Sequence, residues 1–212
     1  SYFIEPDNRH VPTVTEVMRN EDVSEWGFRP VWTPKFAEYD VDALENLSLT
    51  EPQSWLIFVD EDGVGAGIAE TLRNAGHSVV EVTTGDAFGK KSETQYVLSP
   101  ERGREGYDQL LKELIAHGQA PNRILHMWLL TSQETFRPGS SFFHRNLEQG
   151  FHSLMFLGQA VIDENLAQPV QLTCITNGAA SVGKDALVYP EKATVRGPLG
   201  VIPREVPGMT CA

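Results

Sequence analysis

Residues 55–69 read "WLIFVDEDGVGAGIA". The opening apolar run suits a strand covered on both faces. Gly63, Gly65 and Gly67 follow. Ile68, Ala69, Leu72 and Ala75 then recur at helical spacing over residues 65–75, with Gly76 as the stop. A buried strand that passes through a glycine-rich turn into a helix can bring bare backbone and a helix N-terminus up to a pyrophosphate. Yet Asp60, Glu61 and Asp62 stand where that anion would land. Two like charges 4 Å apart repel by about 4 kcal/mol at an effective dielectric of 20. Several of them would cancel most of a micromolar affinity, which totals about 8 kcal/mol. Glu61 holds the position just after the strand where the first glycine of a cofactor turn belongs, and Gly67 is assigned to close helix–strand packing. The residues Glu61, Asp62, Gly63, Gly65 and Gly67 therefore read as a degenerate turn with no cofactor-binding role.

Outward from this stretch the chain alternates strand and helix. "HSVVEVTT" (77–84) and "QYVL" (95–98) read as strands, and the "VTTGDAFG" stretch holds no basic residue before Lys90 to meet a 2′-phosphate. Residues 104–117 form a helix with Tyr107, Leu110, Leu111, Leu114 and Ile115 on one stripe, ended by Gly118. "RILHMWLL" (123–130) reads as a buried strand. Residues 141–165 read as a long helix with Phe143, Leu147, Leu154, Met155 and Val161 inward, and "VQLTCIT" (170–176) as the next strand. Residues 190–206 suit a helix opening on Pro190, irregular at Gly197-Pro198 and stopped by Pro203; "MTCA" opens one more strand. This rhythm predicts an α/β, Rossmann-like, doubly wound and mainly parallel sheet. Residues 1–25 read as an extended linker arm, and 26–212 as one domain with its core in 55–212. Within it, "WGFRPVWTP" (26–34) suits an edge strand and 35–54 is acidic and patternless. A domain rarely stops as a strand begins, so a piece of a longer polypeptide is expected.

Composition narrows the function. A net charge of −12 over 212 residues argues against a nucleic-acid groove or an anionic membrane surface. Neither a long apolar span nor a secretory leader is visible. Two cysteines, Cys174 and Cys211, make no disulfide framework, so a reduced cytoplasmic setting is expected and Cys174 reads as a small core residue. The six histidines show no metal spacing, and His126, inside an apolar strand, reads as a hydrogen-bonded core group. Catalysis by a Tyr–Lys pair with a nearby hydroxyl would have to use Tyr189, Lys192 and Thr176 or Ser181. Lys192 follows Tyr189 by three positions, with Pro190 between, instead of the four that align such a pair on one helix face, and Tyr189 reads instead as a loop aromatic. "GSSFF" (139–143) lacks the strand–turn–helix setting of a serine nucleophile. No catalytic residue and no metal ligand is assigned. The acidic turn at Asp60, Glu61 and Asp62 reads as solvated, with a divalent-cation module as the alternative.

Three stretches point further. "RILHMWLLT", "NLEQGFHSLMFLGQAV" and "ITNGA…YPEKATVRGPLGVIPREVPGMTC" resemble the ketoreductase region of modular type I polyketide synthases, and within it the structural subdomain. "SYFIEP" resembles the tail of the linker after an acyltransferase domain, and "WGFRPVWTP" the opening of the ketoreductase region. The resemblance spans nearly the whole chain. It implies a half that kept the fold, lost its cofactor site, and braces a second, catalytic half. It implies NADPH and phosphopantetheine in the parent enzyme and none in this chain. Its partners would be other domains of the same module: the catalytic ketoreductase half and the acyltransferase linker. The rival reading is an NAD(P)-dependent short-chain-type oxidoreductase with a degenerate fingerprint.

Overall fold

The computed structural model describes residues 21–25, 32–33, 51–131, 141–164, 166, 169–184 and 187–212. The chain divides into two units, Ser1–Glu38 and Tyr39–Ala212. In the first, a 3-10 turn at Val23–Glu25 follows Asp22, whose carboxylate accepts from the Ser24 amide and hydroxyl at 2.9 and 2.6 Å. The expected arm and edge strand fall mostly outside the described residues; Trp32 and Thr33, within that stretch, lie in no strand.

The second unit is built on a seven-stranded sheet. Its strands are β1 (Ser54–Phe58), β2 (Ser78–Thr84), β3 (Gly89–Ser92), β4 (Gln95–Leu98), β5 (Arg123–His126), β6 (Val170–Cys174) and β7 (Met209–Cys211). Their order is β3-β4-β2-β1-β5-β6-β7, and every pairing except β3 with β4 is parallel. Without β3 this is the order of a dinucleotide-binding sheet, with its topological switch point between β1 and β5. The helices are α1 (Val64–Asn74), α2 (Glu105–Ala116), α3 (Phe142–Leu147), α4 (Ser153–Glu164) and α5 (Arg196–Glu205). A π turn at Glu148–His152 joins α3 to α4, and a 3-10 turn at Pro190–Val195 leads into α5.

Strand alternation sends side chains to two cores. Leu56, Phe58, Val80, Val82, Ile124 and Leu172 share one cluster with residues of α2, α4 and α5. Ile57, Val59, Val79, Leu125 and Met127 share the other with Ala69 of α1. Tyr107, Leu110, Leu111 and Leu114 of α2 are fully buried, each contributing about 1.5–3 kcal/mol. The predicted stops hold: the chain turns at Gly76 and Gly118, whose amides donate to Arg73 and Ile115 carbonyls.

Several expectations are corrected. β5 ends at His126, and Met127–Leu130 form a turn instead of extending it. The apolar run continues because the turn itself is buried. Met127 still donates to Phe58 O, and the Trp128 indole N–H reaches Val82 O at 3.3 Å. β3 was not foreseen because "GKKS" has no apolar alternation; it is an edge strand, and exposed lysines there discourage further pairing. Phe143 is 52% exposed instead of inward, and Arg145 and Asn146 are buried in its place. The π turn adds a residue to the helix and rotates α3 out of phase with α4. Leu147 and Met155 are half-buried, and Ile115 is exposed at the rim of its stripe. The irregular segment near the end is Pro190–Val195, not Gly197-Pro198, and α5 runs two residues past Pro203. Proline at 198 is tolerated because the first helical turn needs no intrahelical donor. Cys174 and Cys211 are free, half-buried thiols at the core's edge, not fully interior. Burial pushes them up to about 12 and 11, so both stay protonated.

Candidate functional site

The C-terminal ends of β1, β5 and β6 meet α1, the π turn and the 3-10 turn before α5. At the α1 end, the Asp60 carboxylate turns inward and is only 6% exposed. One oxygen accepts from the Gly65 amide at 2.5 Å. The other accepts from the Val64 and Asp62 amides at 3.1 and 3.2 Å. The Val64 and Gly65 amides are the free first donors of α1, the groups that would otherwise meet a phosphate, and the Asp62 amide belongs to the turn before it. The chain's own carboxylate takes that place. Of the three acids expected where an anion would land, Asp60 is the one that turns onto these amides; Glu61 and Asp62 are exposed and line the crevice.

The glycines are re-sorted as well. Gly63 precedes α1 with φ of +89°, a left-handed conformation that disfavours any other residue. Gly65, not Gly67, makes the close approach. A Cβ there would lie 2.9 Å from Asp60 Oδ1 and 3.4 Å from Met127 Sδ, whereas one at Gly67 would meet nothing within 4 Å. Beyond β2 the chain folds into the β3–β4 hairpin, and Lys90 sits on that edge with its Nζ 5.5 Å from the Tyr96 ring.

At the other end of the crevice, Tyr189 and Lys192 do come together. Lys192 is completely buried. Its ammonium donates to Thr131 Oγ1 at 2.7 Å and Asn177 Oδ1 at 3.1 Å, and stands 4.4 Å from the Tyr189 ring centroid. It lies over the ring face, a cation–π contact, which is not the placement that would activate a phenol oxygen. Burial pulls the amine down to about 8; Glu191 and Asp62 oppose that fall and Arg145 adds to it. Asn177 and Thr131 also bond each other through Thr131 N and O. Lys192 thereby ties together the loops after β5 and β6 and the turn before α5. Thr176 is half-exposed and Ser181 exposed. Sequence reasoning missed Thr131, Arg145, Gln149 and Asn177. Only "NG" at 177–178 carried a local signal, as a turn.

Between the two ends the crevice is small. The cavity lined by Glu61, Asp62, Trp128, Thr131, Arg145 and Gln149 holds about 30 Å³. Ligand sites commonly need about 300 Å³ or more. A cleft of about 210 Å³ lies elsewhere, between Phe88, Ser99, Arg102, Glu105 and Gln109. Among the described residues no three His, Cys, Asp or Glu side chains are grouped to hold a metal ion. Asp60 faces N–H donors, the opposite of a cation's surroundings. Ser141 caps α3 by accepting from the His144 amide at 3.3 Å, an architectural use. Buried His126 sets Nε2 2.9 Å from the Ser153 hydroxyl, and desolvation pushes it down to about 3, so it stays neutral.

Residues 53–187 match the model of a family described as beta-ketoacyl synthase-like, N-terminal. The chain belongs to that family. A search of the curated proteins finds no match to it. Among solved structures, this member of the beta-ketoacyl synthase-like N-terminal family is similar to the adenylation, ketoreductase and pseudo-Asub multidomain structure of a keto acid-selecting NRPS module. The likeness has 26% identity and a TM-score of 0.66, over 76% of this chain and 13% of that one. It is also similar to an N-terminal ketoreductase from the macrolactin assembly line, with 20% identity and a TM-score of 0.61, over 76% of this chain and 31% of that one. Thermoplasma acidophilum aldohexose dehydrogenase shares the fold at 14% identity and a TM-score of 0.50, over 76% of this chain and 64% of that one. The chain thus spans well under half the length of the first two. Family and fold fit the structural subdomain of a modular polyketide synthase, as the resemblance implies. No helix among the described residues is long and apolar enough to cross a membrane.

Proposed function

We propose that this chain is a non-catalytic scaffold within a type I polyketide synthase module, bracing the adjacent catalytic ketoreductase half or another domain of that module. NADPH and phosphopantetheine would belong to the other domains, as would the acyltransferase and reductase activities. The observation that carries this reading is the Asp60 carboxylate on the α1 amides, where a cofactor phosphate would need to sit. The 30 Å³ cavity and the Lys192 ammonium over the Tyr189 ring face support it. The test is an NADPH titration of the chain at moderate salt, followed by cofactor fluorescence. The expected result is no saturable binding up to millimolar cofactor. Saturable binding below about 100 μM, some 5.5 kcal/mol of affinity, would reinstate the oxidoreductase reading.

A further inference from the structure

The cleft of about 210 Å³ is formed by the β2–β3 loop, the Pro100–Arg102 turn and the start of α2, and it shares no lining residue with the crevice. The loop is pinned before it reaches the cleft. The Gly85 amide donates to Leu98 O at 3.0 Å, and a Cβ at Gly85 would collide with Val97. The Phe88 ring stacks on Tyr96, with centroids 6.1 Å apart. Ser99 lines the cleft and is only 6% exposed, yet its hydroxyl bonds no described group. Hydroxyls so buried are normally paired, so this one points to a partner from outside the chain. Arg102 lines the cleft too, is exposed, and forms no ion pair among the described residues. The Glu105 and Gly106 amides, the first of α2, donate to no described acceptor, whereas the Tyr107 and Asp108 amides donate to Arg104 O.

We infer that this cleft binds a small organic carboxylate with an apolar body, its oxygens taken by the Arg102 guanidinium, the Ser99 hydroxyl and the first α2 amides. A guanidinium, a hydroxyl and free amides at a helix start are the donors an anion needs. Ala87 and Phe88 bring apolar and aromatic surface for the rest of the ligand. Charge decides between carboxylate and phosphate. Glu105 also lines the cleft, where its carboxylate accepts from Gln109 Nε2 at 3.2 Å. Arg102 balances the single charge of a carboxylate, and its planar fork matches that group. A phosphate monoester carries nearly two charges and would face Glu105, and a chain of net charge −12, with one lining cation to offset them. Size sets the rest. A volume of 210 Å³ equals that of about seven liquid water molecules, so the ligand is a single ring or a short chain. The inference stands apart from the scaffold reading, which rests on the crevice.

The test is an amide NMR titration of this chain with sodium benzoate at constant ionic strength, beside benzamide and inorganic phosphate. The expected result is saturating shifts at Phe88, Ser99, Glu105 and Gly106 with a Kd on the order of 1 mM, as fits a ligand of about nine non-hydrogen atoms. Benzamide and phosphate should bind at least about tenfold more weakly. Arg102→Gln should weaken benzoate by about tenfold or more, and Arg102→Lys by less, because lysine keeps the charge and loses the fork. Ser99→Ala should weaken it roughly threefold to tenfold at an unchanged melting temperature, since the hydroxyl has no internal partner to lose. A lowered melting temperature in Ser99→Ala would mark an internal role and overturn the site. So would the absence of saturation by about 20 mM benzoate, or undiminished affinity in Arg102→Gln. Benzamide as tight as benzoate would overturn the anionic assignment, and phosphate as tight as benzoate the choice of carboxylate.

Discussion

Removing the carboxylate of Asp60 tests the central feature of the site. In Asp60→Ala, the amides of Asp62, Val64 and Gly65 lose their acceptor. Asp62 and Val64 are exposed, so water can replace their bonds at a cost of a few tenths of a kcal/mol each. Gly65 is buried, so its amide is stranded. A bond to a charged acceptor contributes about 1.5–3 kcal/mol. The helix N-terminus loses a further 0.3–1 kcal/mol or so of charge–dipole stabilisation. The sum is about 2–4 kcal/mol. Asp60→Asn keeps one acceptor oxygen and loses the charge, so it should cost about half as much. Urea unfolding at 25 °C and pH 7, read by far-UV dichroism, measures both. An alanine variant within 0.5 kcal/mol of the parent, or an asparagine variant as damaging as alanine, would refute the reasoning that Asp60 satisfies this helix terminus as an anion.

Other perturbations probe separate parts of the same structure. Gly65→Ala should destabilise by about 1–3 kcal/mol through collision with Asp60 and Met127, while Gly67→Ala, in open space on a helix, should stabilise by about 0.5–1 kcal/mol; paired denaturation curves decide it. His126 is neutral when folded, with its pKa pushed down from 6.5 to about 3, so the unfolded chain takes up the proton first. Its contribution is therefore full above about pH 6.5 and falls toward pH 3 by up to about 1.4 kcal/mol per unit, and His126→Gln should flatten that slope in a pH series of unfolding curves. Lys192, pulled from 10.5 to about 8, has the same sign in an alkaline window. Folding stability should rise between pH 8 and 10.5 relative to Lys192→Met, and a difference curve that is level or falling would contradict its burial.

The strands and helices were legible where periodicity and punctuation agreed. The run at 56–58 had to be a covered strand, and Gly76 and Gly118 had to end helices. Legibility failed where packing overrode local pattern. The inserted residue of the π turn, which exposes Phe143 and buries Arg145, is invisible to a 3.6-residue stripe. Trp128 is apolar enough to extend a strand, but its indole is used sideways, to reach Val82 O. In the site, the run of three carboxylates at the turn was legible, but which of them caps α1 depends on the direction the chain takes after Phe58. Tyr189 and Lys192 meet through a 3-10 turn, so α-helical spacing rules did not foretell it.

The Asp60 cap also bears on how the fold responds to its surroundings. A sheet of this kind that binds a free dinucleotide gains stability as RT ln(1 + [L]/Kd), so its rigidity follows the supply of that molecule. Here the anion is covalently part of the turn, and no dissociation can deplete it. Under the proposed scaffold role, the stiffness of this end of the sheet would thereby be uncoupled from the supply of cofactor in the cell. In that role, a part that holds its neighbours at fixed distances would gain from the uncoupling, because its dimensions would stay the same whether reduced cofactor is plentiful or exhausted.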